Sequence, residues 1–281
     1  MERLVFQGKP VTSQTATGTE CDVVIEIGGM PIRLTTDDPF FMEMLKERYA
    51  GFVSFGTSAQ IQFDVELAPP DTMLGNGEVT VERESGRWSM GRGDFQAHWN
   101  PRAARGVIRQ SANPYSLNSL LRIVHTLLLA EQGGFLVHAS SAVRNGRAFL
   151  FAGVSGAGKT TMARLAPPDV TLLTDEISYV RRQEDGYHAY GTPFAGDLGR
   201  LGENMSAPLA ELYLLAKGTE NKIEPVGAAE AARALLENVL FFARDCEMVR
   251  SVFESACEFV GRVPVRRLTF APDARVWEMI G

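Results

Sequence analysis

The sequence predicts an α/β protein in two parts, a smaller strand-rich α+β module over residues 1–112 and a larger α/β region over residues 113–281. Three observations lead to this prediction. The first part reads as short strands joined by Gly-containing turns, with one helix. The dipeptide Asn113-Pro114 then breaks the pattern before a long amphipathic helix. Beyond that helix, apolar strands alternate with helices, and one strand runs directly into a glycine-rich loop.

Composition restricts the class of protein. The 281 residues are 45% hydrophobic and 22% charged, which is typical of a globular protein. The net charge is −6 and no basic stripe is present, so we predict no nucleic-acid partner. No apolar run reaches about 18 residues, and no secretory signal pattern opens the chain, so we expect a cytoplasmic protein without a membrane span. Three widely spaced cysteines fit a reducing compartment.

The amino-terminal module is predicted from period-two alternation and turn residues. A hairpin turns at Gly28-Gly29, and Asp38-Pro39 begins a helix that extends to about Ala50. The predicted strands cover residues 22–27, 31–35, 61–67, 79–84, 87–90, 94–99 and 106–110. No catalytic pattern occurs among these residues, so we expect a structural or substrate-docking role.

The larger region begins with an amphipathic helix over residues 116–132, with Ser116 as the predicted N-cap and Gly133 at the end. Two strands joined by an Asn145-Gly146 turn follow, and the second strand leads into the glycine-rich loop. The further predicted strands cover residues 135–143, 148–152, 170–174, 179–182, 187–190, 211–216 and 263–270. The further predicted helices cover residues 160–165, 228–243, 246–260 and 274–280.

The glycine-rich loop, residues 153–160, fits the phosphate-binding pattern G-x-x-x-x-G-K-[ST] at every fixed position. Its glycines let backbone N–H groups approach phosphate oxygens. Lys159 is a mobile cation for the β- and γ-phosphates, and the Thr160 hydroxyl can ligate Mg²⁺. The residues predicted to bind the nucleotide are Gly153, Ser155, Gly156, Ala157, Gly158, Lys159, Thr160 and Thr161. The predicted ligands are therefore ATP and Mg²⁺.

Two adjacent acids complete the predicted site. Asp175 and Glu176 end the strand over residues 170–174, and we expect this strand to lie beside the strand that enters the loop. One acid can hold Mg²⁺ and the other can accept a proton from an acceptor hydroxyl. The residue types leave open which acid has which role.

The histidines and one near-match to a guanine-reading motif are further candidates for the site. His138 lies one hairpin before the loop, where it either faces the phosphates or is an ordinary strand histidine. His98, His125 and His188 have no metal-ligand spacing, so we expect structural roles. The stretch from Asn221 to Glu224 approaches N-K-x-D but has Glu in place of Asp, which disfavours guanine specificity.

With these motifs the chain resembles the catalytic domain of HPr kinase/phosphorylase and, more distantly, phosphoenolpyruvate carboxykinase. More closely, the chain looks like HPr-kinase-like proteins encoded beside peptide-modification genes, including lasso peptide kinases. The resemblance covers about residues 115–280 and extends to Gly191-Thr192-Pro193-Phe194. It implies a P-loop kinase domain that phosphorylates a Ser or Thr hydroxyl of a peptide or protein.

The resemblance also implies roles for individual residues. Asp175 would be the general base, and Glu176 and Thr160 would hold Mg²⁺. Lys159 would bind the β- and γ-phosphates, and His138 would lie near the transferred phosphoryl group.

Two departures from that family narrow the prediction. The acid pair is Asp-Glu rather than Asp-Asp, and the family's Gly-rich signature segment is missing, which argues against HPr as the substrate and against the reverse reaction. The loop over residues 191–208 is predicted to be a lid, in which Arg200 could stabilise charge. A small-molecule kinase and a non-catalytic, ATP-gated peptide-binding protein remain as alternatives, and a homo-oligomer remains open.

Overall fold

The structure is a computed structural model that describes residues 21–69 and 77–281. The first twenty residues of the predicted amino-terminal module lie outside these ranges. The chain has a mixed α/β fold with two sheets and several helices, as the sequence predicts at this level. None of the described helices is long and apolar enough to span a membrane.

Seven described strands form the first sheet, in the order β1-β2-β3-β7-β6-β5-β4. They are β1 (Cys21–Ile27), β2 (Met30–Thr36), β3 (Ile61–Leu67), β4 (Thr80–Glu84), β5 (Arg87–Arg92), β6 (Phe95–Asn100) and β7 (Arg105–Gln110). All seven lie within two residues of the predicted bounds, because alternate side chains are buried along β3 and β7. Helix α1 (Pro39–Arg48) begins where the Asp38 carboxylate accepts the N–H of Phe41 at 2.8 Å.

Helix α2 (Pro114–Gln132) connects the two sheets and begins earlier than predicted. Ser116 is not the N-cap. The side chain of Asn113 accepts the N–H of Tyr115, and Pro114 occupies the first helical position. The buried Ser116 hydroxyl instead donates to Asp94 at 2.8 Å. Gly133, with φ of 76°, ends the helix as predicted.

Nine described strands form the second sheet. They are β8 (Gly134–Arg144), β9 (Arg147–Ala152), β10 (Thr171–Thr174), β11 (Ile177–Gln183), β12 (Gly186–Tyr190), β13 (Ser206–Lys217), β14 (Lys222–Pro225), β15 (Val239–Leu240) and β16 (Val265–Phe270). The helices of this region are α3 (Lys159–Arg164), α4 (Ala228–Leu236) and α5 (Cys246–Arg262), followed by a 3₁₀ helix (Ala274–Met279).

Some predicted bounds in this region are wrong. Helix α4 ends at Leu236 rather than residue 243, because the next residues pair with β8 as strand β15. The carbonyl of Asn238 accepts the N–H of His138 at 2.8 Å in that pairing. Strand β13 begins five residues earlier than predicted, and β14 occupies a segment for which no strand is predicted.

The predicted neighbour of β10 is also wrong. Strand β10 pairs with β8, and β8 lies between it and β9, the strand that enters the glycine-rich loop. Both pairings are antiparallel, so β10 and β9 run in the same direction. Their carboxyl ends therefore meet at the same edge of the sheet, although one strand separates them.

A continuous hydrophobic core crosses the predicted boundary near residue 112. Buried side chains of the first sheet, of α2 and of the second sheet, including Tyr179, belong to one cluster. A Cβ built at Gly28 would lie 2.3 Å from the Tyr179 ring, so the β1–β2 turn packs directly on β11. The Arg181 guanidinium also donates to the Gly28 carbonyl at 3.1 Å. The first sheet and α2 are thus packed on the sheet that carries the loop.

Candidate active site

A cleft of about 430 Å³ lies at the edge of the second sheet where β9 and β10 end. It is lined by His138, Ser155, Gly156, Gly158, Lys159, Thr160, Thr161, Asp175, Glu176, Gly196 and Asp197. The structure therefore places the predicted catalytic residues, the predicted metal ligands and most of the glycine-rich loop around one space.

The backbone of the glycine-rich loop adopts a conformation that requires glycine. Gly158 has φ of 116°, and a Cβ there would lie 2.6 Å from the Phe270 ring, so a side chain would be both strained and obstructed. Helix α3 starts at the next residue, and no side chain caps its first turn. The Lys159 ammonium donates to the carbonyls of Gly153 at 2.7 Å and Val154 at 3.3 Å. A phosphate in the cleft can replace these two neutral acceptors.

Two residues predicted to bind the nucleotide do not line the cleft. Ala157 is buried in a hydrophobic cluster, and its N–H donates to the Val154 carbonyl at 3.0 Å. A Cβ at Gly153 would lie 2.8 Å from the Ala157 Cβ. Gly153 and Ala157 therefore support the conformation of the loop and do not face the cleft.

The acid pair sits on a tight turn at the end of β10. The Thr174 hydroxyl accepts the N–H groups of Glu176 and Ile177, each at 3.3 Å. Asp175 is only 5% exposed. Its Oδ1 accepts the N–H of Gly196 at 2.8 Å, and its Oδ2 accepts the N–H of Leu198 at 2.9 Å. The Asp175 carboxylate thus fixes the loop between β12 and β13 at the rim of the cleft.

Glu176 is paired with an arginine that sequence reasoning missed. The Arg122 guanidinium of α2 donates to the Glu176 carboxylate at 3.3 Å. It also lies over the ring of Phe194, 5.2 Å from its centroid. The signal was present in the sequence, since Arg122 is the one charged residue between positions 114 and 130.

Burial shifts the protonation equilibria of three residues in the cleft. Burial raises the pKa of Glu176, the nearby Asp175 raises it further, and Arg122 opposes the shift. Burial lowers the pKa of His138, and the positive charges of Lys159 and Arg122 lower it further, which favours the neutral imidazole. Burial also lowers the pKa of Lys159, while Glu176 counteracts the effect.

His138 reaches the cleft through strand register. It lies directly across from Ile177 in the β8–β11 pair, and Ile177 immediately follows Glu176. The other histidines lie elsewhere. His125 is fully buried edge-on against Tyr179, His98 contacts Ser89, and His188 contacts Asp185.

Residues 108–281 match the model of the family described as SynChlorMet cassette protein ScmC, which is more than half of the chain. The chain belongs to the ScmC family. The part matched by the ScmC model runs from β7 to Gly281, so it includes the glycine-rich loop, His138 and the acid pair. No curated protein sequence matches the chain significantly.

The metal-ligating capacity of this ScmC-family cleft is modest. No group of three or more His, Cys, Asp or Glu side chains that could hold an ion occurs among residues 21–69 and 77–281. The Thr160 hydroxyl and the carboxylates of Asp175 and Glu176 line the same cleft. Mg²⁺ commonly takes one or two carboxylates together with substrate phosphates and water, so these oxygens fit it when a nucleotide is bound.

The loop over residues 191–205 contributes the other lining residues that the predicted site lacked, Gly196 and Asp197. A Cβ at Gly196 would lie 2.8 Å from the Glu176 Cβ, which explains glycine at this position. Arg200, predicted to stabilise charge, does not line the ScmC-family cleft.

Proposed function

We propose that the chain is an ATP-dependent kinase that transfers the γ-phosphoryl group to a Ser or Thr hydroxyl of a peptide or protein. The observation that carries the proposal is the convergence of Lys159, the glycine-rich loop, Asp175 and Glu176 on one cleft. Phosphoryl transfer requires a cradle for the phosphates, a site for Mg²⁺ and a group that orients the attacking hydroxyl. The cleft offers all three.

The finer fold proposal is a P-loop kinase domain of the HPr kinase type. It is supported by the strand β9, the loop and helix α3 in direct succession, and by the parallel strand β10 that ends in the acid pair. The separation of β9 and β10 by β8 leaves both carboxyl ends at one edge, where ligands bind in open α/β sheets.

The nucleotide is held by the loop. Lys159 exchanges its two carbonyl acceptors for the β- and γ-phosphates, an exchange that replaces neutral partners with charged ones. The first-turn N–H groups of α3 point their positive end toward the phosphates. Thr160 and Glu176 would hold Mg²⁺, which neutralises charge on the phosphates when bound.

Asp175 is proposed as the group that accepts the proton of the acceptor hydroxyl. The hydroxyl oxygen attacks the γ-phosphorus, the bond to the ADP oxygen breaks, and the hydroxyl proton passes to Asp175. Two backbone N–H bonds hold that carboxylate in one orientation, and each of its oxygens keeps a second lone pair. Neutral His138 can donate a hydrogen bond to the transferred group.

The acceptor is proposed as a peptide or protein by resemblance to kinases of peptide-modification clusters. The Asp-Glu pair and the missing Gly-rich signature set the chain apart from HPr kinase, so the proposal does not extend to HPr. A cytoplasmic location, the absence of nucleic-acid and membrane partners, and a possible homo-oligomer belong to the same proposal.

The experiment uses ATP labelled at the γ-phosphate. Ser- and Thr-containing peptides and hydroxylated metabolites are offered in parallel as acceptors to the chain and to Lys159→Ala. We expect label on peptide with the unaltered chain and none with Lys159→Ala. Lys222→Ala, an exposed lysine outside the cleft, is the control.

Three results would contradict parts of the proposal. Undiminished transfer by Lys159→Ala would exclude the loop as the site. Label on a metabolite alone would establish a small-molecule kinase. ATP binding without any labelled acceptor would favour a nucleotide-gated peptide-binding protein.

A further inference from the structure

The two edges of the first sheet differ in what covers them. Strands β1 and β4 are the outermost strands. Along β1, the N–H of Ser54 donates to the Val24 carbonyl at 2.9 Å, and Val53 forms a β-bridge with Ile25. Among the described residues, β4 pairs with β5 alone. An edge strand with an unpaired side can accept a further strand.

The backbone groups that face the open edge belong to Val81 and Arg83. Strands β4 and β5 are joined by Ser85 and Gly86, which have φ of 51° and 77° and form a two-residue turn. The pair at Glu84 closes this turn with hydrogen bonds, and bonded and non-bonded pairs alternate along the strands from there. Val81 and Arg83 therefore belong to non-bonded pairs, so their N–H and C=O groups point away from β5.

A groove of about 700 Å³ lies along this open edge. One wall is β4, and the other is the segment that links β15 to α5, including Phe242, Arg244 and Asp245. We call this space the edge groove. Val79 and Phe242 line it with apolar side chains that are partly buried against the hydrophobic core. The edge groove therefore combines an open strand edge with an apolar lining.

The edge groove is acidic. Its lining includes four acids and two arginines, which leaves a net charge of −2. Arg83 and Arg244 each lie close to an acid of the lining, at 3.9 Å and 4.0 Å. Glu82 and Glu84 are exposed and have no ion pair within the described part of the chain. These two carboxylates lie on the same face of β4, because they are two positions apart.

The charge pattern of β4 defines the partner that fits it. Directly opposite side chains of paired strands share a face, where opposite charges stabilise and like charges destabilise the pair. An added strand with basic side chains opposite Glu82 and Glu84 fits this rule. Its intervening side chains would lie on the face of Val81, which packs in the same core cluster as Phe242. Two β4 strands paired antiparallel about Glu82 or Arg83 would instead place acid opposite acid, so a second copy fits poorly.

A short stretch of chain connects the edge groove to the active-site cleft. The Asn238 carbonyl accepts the N–H of His138, which lines the cleft. Phe242 follows Asn238 by four residues. An extended chain spans at most about 3.6 Å per residue, so Phe242 lies within about 14 Å of Asn238. A peptide in the edge groove thus needs few extended residues to reach the cleft.

We propose that the edge groove binds the acceptor peptide as an added strand beside β4, through a segment in which basic and apolar side chains alternate. This inference rests on the proposed function only for the role of the peptide as the phosphate acceptor. The segment is a docking sequence, and the hydroxyl that receives the phosphate lies outside it. Val81 and Arg83 supply the backbone hydrogen bonds, and Glu82 and Glu84 select the basic side chains.

Binding is measured without ATP, by fluorescence anisotropy of a labelled peptide that alternates lysine and valine. Arg83→Pro removes the outward N–H and leaves the bonds between β4 and β5, whereas Arg83→Ala removes the side chain alone. We expect Arg83→Pro to bind the peptide about three- to tenfold more weakly than Arg83→Ala, because one backbone hydrogen bond is lost. Equal affinities of these two variants, both shown to be folded by circular dichroism, would exclude the added strand.

The selection by charge is tested with Glu82→Gln/Glu84→Gln, which also decides the question if Arg83→Pro does not fold. Two exposed ion pairs are lost, so we expect binding about two- to tenfold weaker at low salt and little difference at about 1 M salt. Glu43→Gln/Glu47→Gln removes two exposed acids of α1 and is the matched control. Equal weakening by the two double variants would mean that the net charge alone attracts the peptide.

A second peptide controls for the strand conformation. It alternates lysine and proline, so it carries the same charge but lacks the N–H groups that pair with a strand edge. We expect it to bind more weakly than the valine peptide and to be indifferent to Arg83→Pro. If both peptides bind equally well, the edge groove is not a site of strand addition.

Phosphorylation separates this inference from the proposed function. A serine is placed behind the valine peptide on a glycine spacer of about six residues, and labelled ATP is added. Lys159→Ala should bind this peptide normally and transfer no phosphate. Binding that depends on Glu82 and Glu84 without any labelled serine would contradict the kinase and leave the edge groove as a peptide site.

Two results would exclude the edge groove and leave the kinase intact. One is labelled serine that neither Arg83→Pro nor Glu82→Gln/Glu84→Gln reduces. The other is a dimer, seen by sedimentation, that Arg83→Pro dissociates, because it would assign the open edge of β4 to a second copy.

Discussion

Asp175 Oδ1 accepts the backbone N–H of Gly196 at 2.8 Å, so the end of β10 is tied to the loop that precedes β13. The second carboxylate oxygen is bonded in the same way by Leu198. The residue proposed as the base therefore also fixes the rim of the cleft. A substitution in the loop between β12 and β13 should therefore change the rate of the proposed reaction by moving the Asp175 carboxylate.

Replacing Gly196 with Ala tests that relationship. The new Cβ would lie 2.8 Å from the Glu176 Cβ and 3.0 Å from Asp175 Oδ2, so the loop or the acids must move. We expect kinase turnover to fall roughly ten- to a hundredfold, because misplacement of about 1 Å is enough for such a loss. Steady-state kinetics with labelled ATP would measure it. ATP affinity should change little, since the glycine-rich loop is untouched.

Gly261→Ala is the control, because no atom beyond its chain neighbours and its own helix backbone lies within 4 Å of a Cβ built at that position. Normal turnover by Gly196→Ala would show that the Asp175 contacts with the loop are unimportant for the reaction.

The substitutions Asp175→Asn and Glu176→Gln distinguish the roles of the two acids. If Asp175 is the base, its variant should lose at least about a hundredfold in turnover with little change in ATP affinity. Glu176→Gln should instead raise the Mg²⁺ concentration needed for half-maximal rate, since a neutral amide is a weaker ligand. Rates measured across a Mg²⁺ series distinguish the two. The reverse pattern would exchange the proposed roles.

Arg122 should matter to both stability and metal use. Arg122→Gln removes the cation paired with Glu176 and the charge over Phe194, so we expect a loss of about 1–2 kcal/mol in the free energy of unfolding. It should also weaken ATP binding more in the presence of Mg²⁺ than in its absence. Arg122→Lys should recover part of both effects because it keeps the charge.

Arg182→Gln breaks an exposed pair with Glu258 and serves as the comparison, with an expected loss below about 1 kcal/mol. Equal losses from Arg122→Gln and Arg182→Gln would mean that burial adds nothing to the Arg122 pair.

His125 should make stability depend on pH. Burial lowers the pKa of this imidazole from 6.5 to about 3, so the unfolded chain binds a proton that the folded chain excludes between those values. Above pH 6.5 the imidazole is neutral in both states and the free energy of unfolding is unaffected. As the pH falls below 6.5, the free energy of unfolding decreases, and the decrease reaches about 2 kcal/mol at pH 5. Urea unfolding from pH 7.5 to 5 should show a smaller decrease in the free energy of unfolding for His125→Leu than for the unaltered chain. The exposed His98→Gln should keep the full slope, and an unchanged slope in His125→Leu would rule out His125 as the cause.

The shared core predicts that residues 113–281 do not fold alone. Removal of the first sheet would expose the apolar face of α2 and the Tyr179 ring, both now buried. At about 25 cal/mol per Å² of apolar surface, the free-energy cost of exposing several large side chains exceeds the usual margin of stability. Thermal melts followed by circular dichroism should show a cooperative transition for the full chain and none for the fragment. A fragment that melts cooperatively and binds ATP would establish an independent domain.

Local pattern predicted the strands of the first sheet and the strand, loop and helix around Lys159, because alternation and turn residues act over short distances. The local pattern predicted wrong bounds, caps and strand neighbours where residues distant in the sequence make competing contacts. Helix α4 is cut short by the pairing of β15 with β8, and Ser116 is drawn away from capping by Asp94. The neighbour of β10 was wrong for the same reason, since strand order depends on contacts that no local pattern records.

The sequence by itself determined the phosphate-binding pattern, the acid pair and the alternation of strands and helices, because each depends on residue types at short spacing. Only the tertiary structure decided that β8 separates the two strands while leaving their ends together, that Arg122 faces Glu176, and that Asp175 is held by the backbone of Gly196 and Leu198. The hydrogen bonds of Asp175 and Arg122 join residues from 21 to 54 positions apart. Such contacts arise when the core closes, and the chain's local preferences do not specify them.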